Sequence, residues 1–437
     1  AARTRAGSSH LAQALRLLRR APHIQHPGSA AAMPQMWKVV GGKDKGGVIV
    51  RDGVELTAPL FDDRVSTGAL LEEIALLNHN GHQRLNFKLL SGTGPSQGWV
   101  SCSVKGKTLV EMTDESAPEG GAAKPTYPCA LMFPGQGSQY VKMMADVKDI
   151  PAVKEMLDKS KDILGYDILQ ICLEGPEEKL AETRYCQPAL FIGGLAGIEK
   201  LRATKPDAAE NPTFVAGLSL GEYTALCAAG VFSFEDGLKL VKLRGEAMQE
   251  AAAMGSQAML SVAGLEKATL DKLCAESAKE EGSSGVCSIA NALFPNGFSC
   301  GGTEKAINLL KEKAEKAGAL QAKVLKTAGA FHTELMKPAQ VKLNEALDQV
   351  YPSMKPPTVT IYMNATSEPV KVGGSVDTII GNLKKQLTSS VLWEPSIKKM
   401  IDAGIKEYYE CGPMKQLKAM MKRIDQTVWK TTTNVDV

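Results

Sequence analysis

The sequence predicts an α/β protein whose main domain has a largely parallel sheet, carries an inserted subdomain and follows a small β-rich module. From Tyr127 onward, short apolar runs typical of strands alternate with longer amphipathic runs typical of helices. This alternation predicts a parallel sheet covered by helices. Between about residues 257 and 326 the predicted order becomes strand, helix, two strands, helix and strand, which is the order of a ferredoxin-like subdomain.

Composition and charge exclude several classes of protein. The 437 residues include 51 Lys and Arg against 48 Asp and Glu, so the net charge of +3 gives no indication of nucleic-acid binding. No apolar run approaches the roughly 18 residues of a membrane-spanning helix, so no membrane span is expected. The nine cysteines are scattered without a CxxC pair, which argues against a zinc site and a disulfide framework and favours a reducing compartment.

The first 35 residues form a segment of distinct composition. They are rich in Arg, contain no acidic residue and include an amphipathic run over residues 11–20. Such a segment is typical of an organelle transit peptide, and a disordered basic tail is the alternative.

Residues 36–112 are predicted to form a separate small module. Short β-like runs punctuated by Gly surround Trp37 and Trp99, and a helix is predicted from Thr67 to Leu77. The sequence assigns this module no role. Residues 113–126, with Pro, Gly, Ala and Glu, are expected to be a linker to the domain that spans residues 127–437.

The main domain is organised around a GLSLG pentapeptide at residues 217–221. An apolar strand-like run, residues 211–216, precedes it, and a helix-like run, residues 222–229, follows it. Strand, tight Gly-flanked turn and helix form the nucleophile elbow of hydrolase-like parallel-sheet domains. Because the serine would stand at a helix N-terminus, where negative charge is favoured, Ser219 is the candidate nucleophile.

A serine nucleophile needs a base, and His332 is the candidate. Five of the six histidines precede the main domain, so His332 is the only imidazole within it. Imidazole is the usual partner of a serine hydroxyl near neutral pH. A structural, hydrogen-bonded histidine is the alternative.

The FPGQGSQ run at residues 133–139 follows an apolar strand-like run. Ligands bind near the C-terminal ends of strands in such sheets, and Gln136 between two glycines could direct its backbone N–H toward an oxyanion. A plain turn between strand and helix is the alternative reading.

Arg244 falls on the apolar stripe of a helix predicted over residues 234–252. Lysines and glutamates occupy the polar sides of this helix, whereas Arg244 lies among Leu, Val, Ala and Met. A buried arginine is costly unless an anion pairs with it. The anion is either an internal Asp or Glu or the carboxylate of a substrate, which a guanidinium can hold with two hydrogen bonds.

At this point the motifs, taken together, resemble those of the malonyl-CoA:acyl-carrier-protein transacylases, most closely their plastid form. The resemblance covers residues 127–437 and rests on five motifs in order. These are FPGQGSQ at 133–139, GLSLGEY at 217–223, KLVKLRG at 239–245, GAFH at 329–332 and Gln386. One departure is Leu218, where bacterial members usually have His.

The resemblance implies a role for each of these motifs. Ser219 would be acylated, with His332 as its base, and Arg244 would bind the malonyl carboxylate. The backbone N–H groups of Gln136 and Leu220 would form the oxyanion hole. Two further residues complete the expected substrate site: the Gln386 carbonyl would orient the histidine, and Phe331 matches malonyl-selective members.

The implied activity is ping-pong transfer of a malonyl group from malonyl-CoA to the phosphopantetheine thiol of acyl carrier protein for fatty acid synthesis. No metal or bound cofactor would be required, and other fatty acid synthase components would be further partners. The alternatives are an acyltransferase that serves polyketide synthesis, a serine hydrolase or thioesterase, and a non-catalytic docking module. The expected compartment is a plastid, with the mitochondrion as the alternative.

Overall fold

The computed structural model describes residues 35–95, 97–113, 126–325 and 329–437. The chain divides into two compact units, Ala1–Pro118 and Glu119–Val437. The predicted transit segment and the predicted linker lie, apart from their terminal residues, outside the described residues, so both stay predictions.

The described part of the first unit is a seven-stranded antiparallel sheet with a small hairpin. The strand order is β3-β2-β6-β5-β4-β1-β9, and β7 pairs with β8. Its core contains Trp37, Leu71 and Phe87, all buried. The strands are β1 Met36–Val39, β2 Val48–Arg51, β3 Leu60–Val65, β4 Leu70–His79, β5 His82–Ser91, β6 Gln97–Ser101, β7 Ser103–Val104, β8 Lys107–Thr108 and β9 Val110–Thr113, with a 3₁₀ turn at Lys43–Lys45.

The helix predicted from Thr67 to Leu77 is wrong, because residues 70–77 belong to β4 and residues 67–69 lie in the turn before it. Leu, Glu and Ala dominate it, and these residues have high helix propensity. The strand nevertheless forms because β4 pairs with β1 on one side and β5 on the other. The register shifts between Glu73 and Ala75, and this irregularity breaks the alternation that would have indicated a strand.

The second unit is built on a six-stranded sheet of order β17-β16-β11-β10-β19-β20. All neighbours pair in parallel except β16 and β17, in agreement with the largely parallel sheet expected from the sequence. The strands are β10 Tyr127–Phe133, β11 Pro212–Gly217, β16 Thr360–Tyr362, β17 Pro369–Val370, β19 Glu407–Cys411 and β20 Thr432–Val435.

Helices surround this sheet and bury it. Those outside the inserted segment are α1 Pro151–Leu164, α2 Ile168–Glu174, α3 Glu177–Ala181, α4 Thr183–Thr204, α5 Pro206–Glu210, α6 Gly221–Ala228, α7 Phe234–Ala252, α10 Lys337–Val350, α11 Val376–Gln386, α12 Trp393–Asp402, α13 Gln416–Ile424 and α14 Gln426–Lys430, with 3₁₀ turns at Glu334–Met336 and Tyr351–Ser353. Among them, α4 is buried along most of its length and packs against α7, while α6 follows the turn after β11.

A second sheet interrupts the main domain between α7 and α10. Its order is β15-β12-β14-β13-β18, and its first four strands are antiparallel. The chain passes through β12 Gln257–Ala263, α8 Lys267–Glu281, β13 Cys287–Phe294, β14 Gly297–Thr303, α9 Glu304–Lys316 and β15 Gln321–Val324. The fifth strand, β18 Val391–Leu392, comes from a segment of the main domain and pairs in parallel with β13, so this segment extends the second sheet.

Among the helices of the described residues, none has both the length and the apolarity needed to span a bilayer.

Candidate active site

Ser219 lies at the tip of a strained turn between β11 and α6. Its φ of 55° is in the left-handed region, which non-glycine residues rarely adopt. The flanking glycines are required for close approach. A Cβ on Gly217 would lie 1.9 Å from the Gly221 backbone, and a Cβ on Gly221 would lie 2.1 Å from the Phe133 carbonyl oxygen. The structure therefore shows the predicted elbow, with strain stored at the serine.

Asn364, which follows β16, holds this turn with both ends of its side-chain amide. Its Oδ1 accepts a hydrogen bond from the Ser219 backbone N–H at 2.8 Å, and its Nδ2 donates to the Gly217 carbonyl oxygen at 2.7 Å. These two bonds satisfy backbone groups that the tight turn would leave unpaired in the interior. Asn364 thus fixes the backbone on which the Ser219 hydroxyl stands.

The Ser219 hydroxyl is hydrogen-bonded to His332. Its Oγ lies 2.7 Å from His332 Nε2, and His332 Nδ1 lies 2.9 Å from the backbone carbonyl oxygen of Gln386. Because a carbonyl oxygen only accepts, Nδ1 carries the proton and Nε2 is free to accept one from serine. The Gln386 carbonyl therefore orients the His332 ring, as the aspartate does in a Ser-His-Asp triad.

Burial and charge keep His332 neutral. Its side chain is almost fully buried. Burial and, second, the nearby positive charge of Arg244 lower the pKa of His332 to about 4, against the opposing effect of its backbone contacts. At neutral pH the imidazole is thus an unprotonated base, ready to take the serine proton.

Arg244 lies in the interior of α7 and reaches Ser219. Its Nη1 donates to Gln187 Oε1 at 2.7 Å, and its Nη2 donates to Gln386 Oε1 and to Ser219 Oγ, each at 3.0 Å. The guanidinium also lies over the Tyr223 ring, 5.3 Å from its centroid.

No carboxylate of the described residues lies within ion-pair distance of Arg244, and its Nε has no hydrogen-bond partner there. The guanidinium is fully buried, and this burial lowers its pKa. An internal ion pair, the structural alternative for this arginine, is therefore not present in the described part of the chain. A buried cation without an anion next to the reactive hydroxyl is suited to an anionic substrate.

The two backbone N–H groups predicted for an oxyanion lie on adjoining turns. Gln136 follows β10, and Leu220 follows Ser219. A Cβ on Gly135 would lie 2.5 Å from the Leu218 carbonyl oxygen, so the turn that carries Gln136 touches the elbow. Within the described ranges, neither N–H donates to another protein group. Both are thus available to an oxyanion.

Phe331, the remaining predicted residue, precedes His332 and is 8% exposed. It packs in the main core, and a Cβ on Gly329 would lie 2.9 Å from its ring. His332 itself has a φ of 61°, so this turn is also in the left-handed region. The Phe331 side chain has no polar atom, and it lies beside the base, not in the polar cluster.

Sequence reasoning missed three polar residues of this site: Asn364, Gln187 and Glu222. Gln187 lies in the mostly apolar helix α4, and Glu222 is 1% exposed. Gln187 and Glu222 are both polar side chains within apolar runs, and this unusual placement could have identified them from the sequence. Asn364 had no comparable signal, because Asn is common in turns for local reasons.

Among the described residues, no cluster of three or more His, Cys, Asp or Glu side chains is arranged to hold a metal ion.

Comparisons with known proteins place the chain in a family. Residues 131–431 match the family model of the acyl transferase domain. The mitochondrial malonyl-CoA-acyl carrier protein transacylase of Homo sapiens is 37% identical over 315 residues, which is 70% of this chain and 80% of the relative.

Solved structures of malonyl transacylases are also similar to this chain in sequence and fold. The malonyl CoA-acyl carrier protein transacylase of Coxiella burnetii is 33% identical with a TM-score of 0.65, over 70% of this chain and 93% of its own. A malonyl-transacylase solved in complex with a type II PKS acyl-carrier protein is 32% identical with a TM-score of 0.63, over 70% of this chain and 94% of the match. This chain therefore belongs to the malonyl-CoA-acyl carrier protein transacylase family of acyl transferases.

Proposed function

We propose that this protein transfers the malonyl group of malonyl-CoA to the phosphopantetheine thiol of acyl carrier protein, and so supplies fatty acid synthesis. One observation carries the proposal. The Arg244 guanidinium, without a carboxylate partner among the described residues, lies 3.0 Å from the oxygen of Ser219. A malonyl group on that oxygen would place its free carboxylate within reach of the guanidinium, which binds carboxylates with two parallel hydrogen bonds.

In the first half-reaction, Ser219 Oγ attacks the thioester carbonyl of malonyl-CoA while His332 Nε2 takes the hydroxyl proton. General base catalysis of this kind typically contributes a factor of ~10²–10⁴. The N–H groups of Gln136 and Leu220 stabilise the tetrahedral oxyanion, each donor contributing a factor of about 10²–10³. The C–S bond then breaks, coenzyme A leaves with the proton from His332, and malonyl-Ser219 remains.

In the second half-reaction, the carrier-protein thiol attacks the malonyl ester. His332 Nε2 takes the thiol proton and returns it to Ser219 Oγ as the C–O bond breaks. The products are malonyl-carrier protein and the free enzyme. No metal or bound cofactor is needed at any step of this proposal.

The hydrolase alternative is less well supported by the site. A serine hydrolase normally orients its histidine with a carboxylate, whereas His332 Nδ1 donates to a backbone carbonyl. A hydrolase also has no evident use for the Arg244 guanidinium beside the nucleophile.

The polyketide alternative has one specific observation in its favour. The malonyl-transacylase solved with a type II PKS acyl-carrier protein is similar to this chain in sequence and fold. The chemistry would be the same, and only the carrier protein would differ. Identifying the carrier protein that co-purifies with the enzyme from its own cells distinguishes the two.

We further propose that residues 257–326 form a ferredoxin-like subdomain and that residues 1–35 direct the protein to an organelle. The strand order β15-β12-β14-β13 and the two helices support the ferredoxin-like subdomain.

For the organelle, a plastid was the expectation from the sequence, and the mitochondrial designation of the relative from Homo sapiens supports the alternative. Expression of residues 1–35 fused to a fluorescent protein in the source cells would decide between them.

The test of the proposed function follows both half-reactions. The wild-type protein is incubated with malonyl-CoA, and peptide mass spectrometry locates the malonyl group, which we expect on Ser219. Addition of phosphopantetheinylated carrier protein should remove it and yield malonyl-carrier protein. Ser219→Ala should form no adduct, while Ser160→Ala, which changes a buried serine remote in sequence from the motifs, should form it normally. A stable adduct on another residue, or release of free malonate without transfer, would refute the proposal.

A further inference from the structure

Glu222 is a buried carboxylate next to the nucleophile, and no step of the proposed mechanism uses it. It lies in the first turn of α6, three residues after Ser219, and is 1% exposed. Its Oε1 accepts from the Asn364 backbone N–H at 2.6 Å, and its Oε2 accepts from Gln386 Nε2 at 2.5 Å. Burying an ionised carboxylate is costly even when it is hydrogen-bonded, so such a group calls for an explanation.

The Gln386 amide connects Glu222 to Arg244. Its Nε2 donates to Glu222 and, at 2.9 Å, to the Ser219 carbonyl oxygen, while its Oε1 accepts from Arg244 Nη2. An ionised carboxylate only accepts hydrogen bonds, and a guanidinium only donates them. The two charged groups therefore determine which way the amide faces: its NH₂ group points to Glu222 and its oxygen points to Arg244.

We infer that Glu222 is a positioning residue that fixes the orientation of the Gln386 amide and thereby directs the Arg244 guanidinium toward the carboxylate of the acyl group on Ser219. This inference rests on the proposed malonyl transfer. It also explains how the Arg244 charge is stabilised while its guanidinium stays free to bind a substrate carboxylate. Glu222 supplies the compensating negative charge through the Gln386 amide, so the substrate has no ion pair to displace.

Glu222 needs both of its acceptor oxygens for this role. In Glu222→Gln, one oxygen becomes an NH₂ group of nearly the same size. That NH₂ group would face either the Asn364 N–H or the Gln386 NH₂, so one donor would lose its acceptor or Gln386 would turn over and present its NH₂ group to Arg244. The variant thus removes the orientation while keeping the volume.

A matched control is available in Glu410. This glutamate is also fully buried, and it accepts hydrogen bonds from the backbone N–H groups of Leu417 and Lys418, each at 2.8 Å. None of these partners hydrogen-bonds to Ser219, His332, Arg244 or Gln386. Glu410→Gln therefore reports the general effect of removing a buried carboxylate.

The experiment measures kcat/KM for malonyl-CoA and for acetyl-CoA in the wild-type protein and in both variants. Acetyl-CoA has no carboxylate, so any general damage to Ser219 and His332 cancels in the malonyl to acetyl ratio. We expect this ratio to fall about tenfold in Glu222→Gln, as for the loss of one hydrogen bond to a charged group, and less than twofold in Glu410→Gln. An unchanged ratio in folded Glu222→Gln would overturn the inference, as would equal falls in both variants.

A second measurement needs no variant. Burial raises the pKa of Glu222 to about 7, although hydrogen bonds from Asn364 and Gln386 and the charge of Arg244 oppose this. Besides Arg244, the titratable side chains of the described residues that face this cluster are Tyr223 and His332. Protonation turns one acceptor oxygen into a donor, so the malonyl to acetyl ratio should fall as the pH decreases through about 7 in the wild-type protein.

His332 acts on both substrates and cancels in this ratio. If the ratio is constant between pH 8 and pH 6, Glu222 does not position Arg244. The proposed function is judged separately by the malonyl adduct on wild-type Ser219, so its failure would not be confused with the failure of this inference.

Discussion

The Nη2 atom of Arg244 donates a hydrogen bond to the Oγ of Ser219 over 3.0 Å, so the candidate nucleophile lies between a cation and a neutral base. On the other side, His332 Nε2 is 2.7 Å from the same oxygen. An acyl group bonded to this oxygen would therefore be adjacent to the guanidinium from the moment it forms. The group that would select the substrate, the Arg244 guanidinium, thus contacts the atom that would form the acyl bond, Ser219 Oγ.

Replacement of Arg244 should change which acyl group is transferred. Loss of a hydrogen bond to a charged group costs roughly 1.5–3 kcal/mol, so Arg244→Ala should lower kcat/KM for malonyl-CoA about tenfold or more. Transfer from acetyl-CoA should be retained or improved, because acetyl has no carboxylate. The measurement is the ratio of the two kcat/KM values, with folding checked by circular dichroism.

Arg244→Lys provides the control for charge. Lysine keeps the positive charge but cannot form two parallel hydrogen bonds, so most of the malonyl preference should still be lost. Equal falls for both substrates in Arg244→Ala would instead mean that Arg244 has a purely structural role.

The pH dependence of acylation should reflect the depressed pKa of His332. Because burial and the Arg244 charge lower this pKa to about 4, the imidazole stays neutral, and therefore basic, well below its usual value of 6.5. The rate of Ser219 acylation should be level from pH 8 to pH 5 and should fall as the pH decreases through about 4. Acetyl-CoA is the substrate for this measurement, because acetyl has no carboxylate for Arg244 to bind, so changes in malonyl binding do not enter the profile. A fall centred near pH 6.5 would show that the imidazole is solvated.

The elbow should not tolerate a methyl group at Gly221. A Cβ there would lie 2.1 Å from the Phe133 carbonyl oxygen, which is backbone and cannot move aside as a side chain would. We expect Gly221→Ala to lower the free energy of unfolding by about 1–3 kcal/mol or more, as for other overpacked sites.

Gly381 in α11 is the matched control, because a Cβ there would meet no atom within 4 Å. Gly381→Ala should be neutral or should raise the free energy of unfolding by up to ~1 kcal/mol, since alanine favours a helix. The measurement is the shift in the urea midpoint for each variant. Equal midpoints for both would contradict the tight packing at Gly221.

The first unit should be dispensable for transfer in vitro. Every motif lies beyond Tyr127, and the residues of the candidate site all belong to the second unit. A chain that begins at Thr126 should therefore retain the kcat/KM for malonyl transfer within about twofold. If this shorter chain folds, as judged by circular dichroism, but transfers malonyl much more slowly, then residues before Thr126 contribute to the site.

Part of the candidate site could be predicted from the sequence, because some of its residues are unusual in their local sequence context. The two glycines around Ser219 and the isolated His332 identified a candidate nucleophile and base, and the structure brings them within hydrogen-bond distance. Arg244 stood out because a charge on an apolar stripe requires a reason. The structure places both His332 and Arg244 within hydrogen-bond distance of Ser219 Oγ.

The remainder depended on contacts between distant parts of the chain. Asn364 meets the elbow only because β16 lies next to β11, and nothing local to Asn364 indicates this. In the same way, β4 appeared helical because its composition favours a helix, whereas pairing with two neighbouring strands determined its conformation. Local propensity and motif spacing identify residues with unusual chemistry, but they do not show which supporting residues the fold will place beside them.

The position of β10 in the main sheet has a consequence for biosynthesis. This strand lies between β11 and β19, and the hydroxyl of Tyr127 donates to Glu407, 280 residues further along the chain, at 3.0 Å. During translation, one edge of β10 therefore stays unpaired until β19 (Glu407–Cys411) has left the ribosome. Contacts so distant in sequence form slowly, and unpaired strand edges promote aggregation. The nascent enzyme should accordingly depend on chaperones until β19 and β20 have paired in the main sheet.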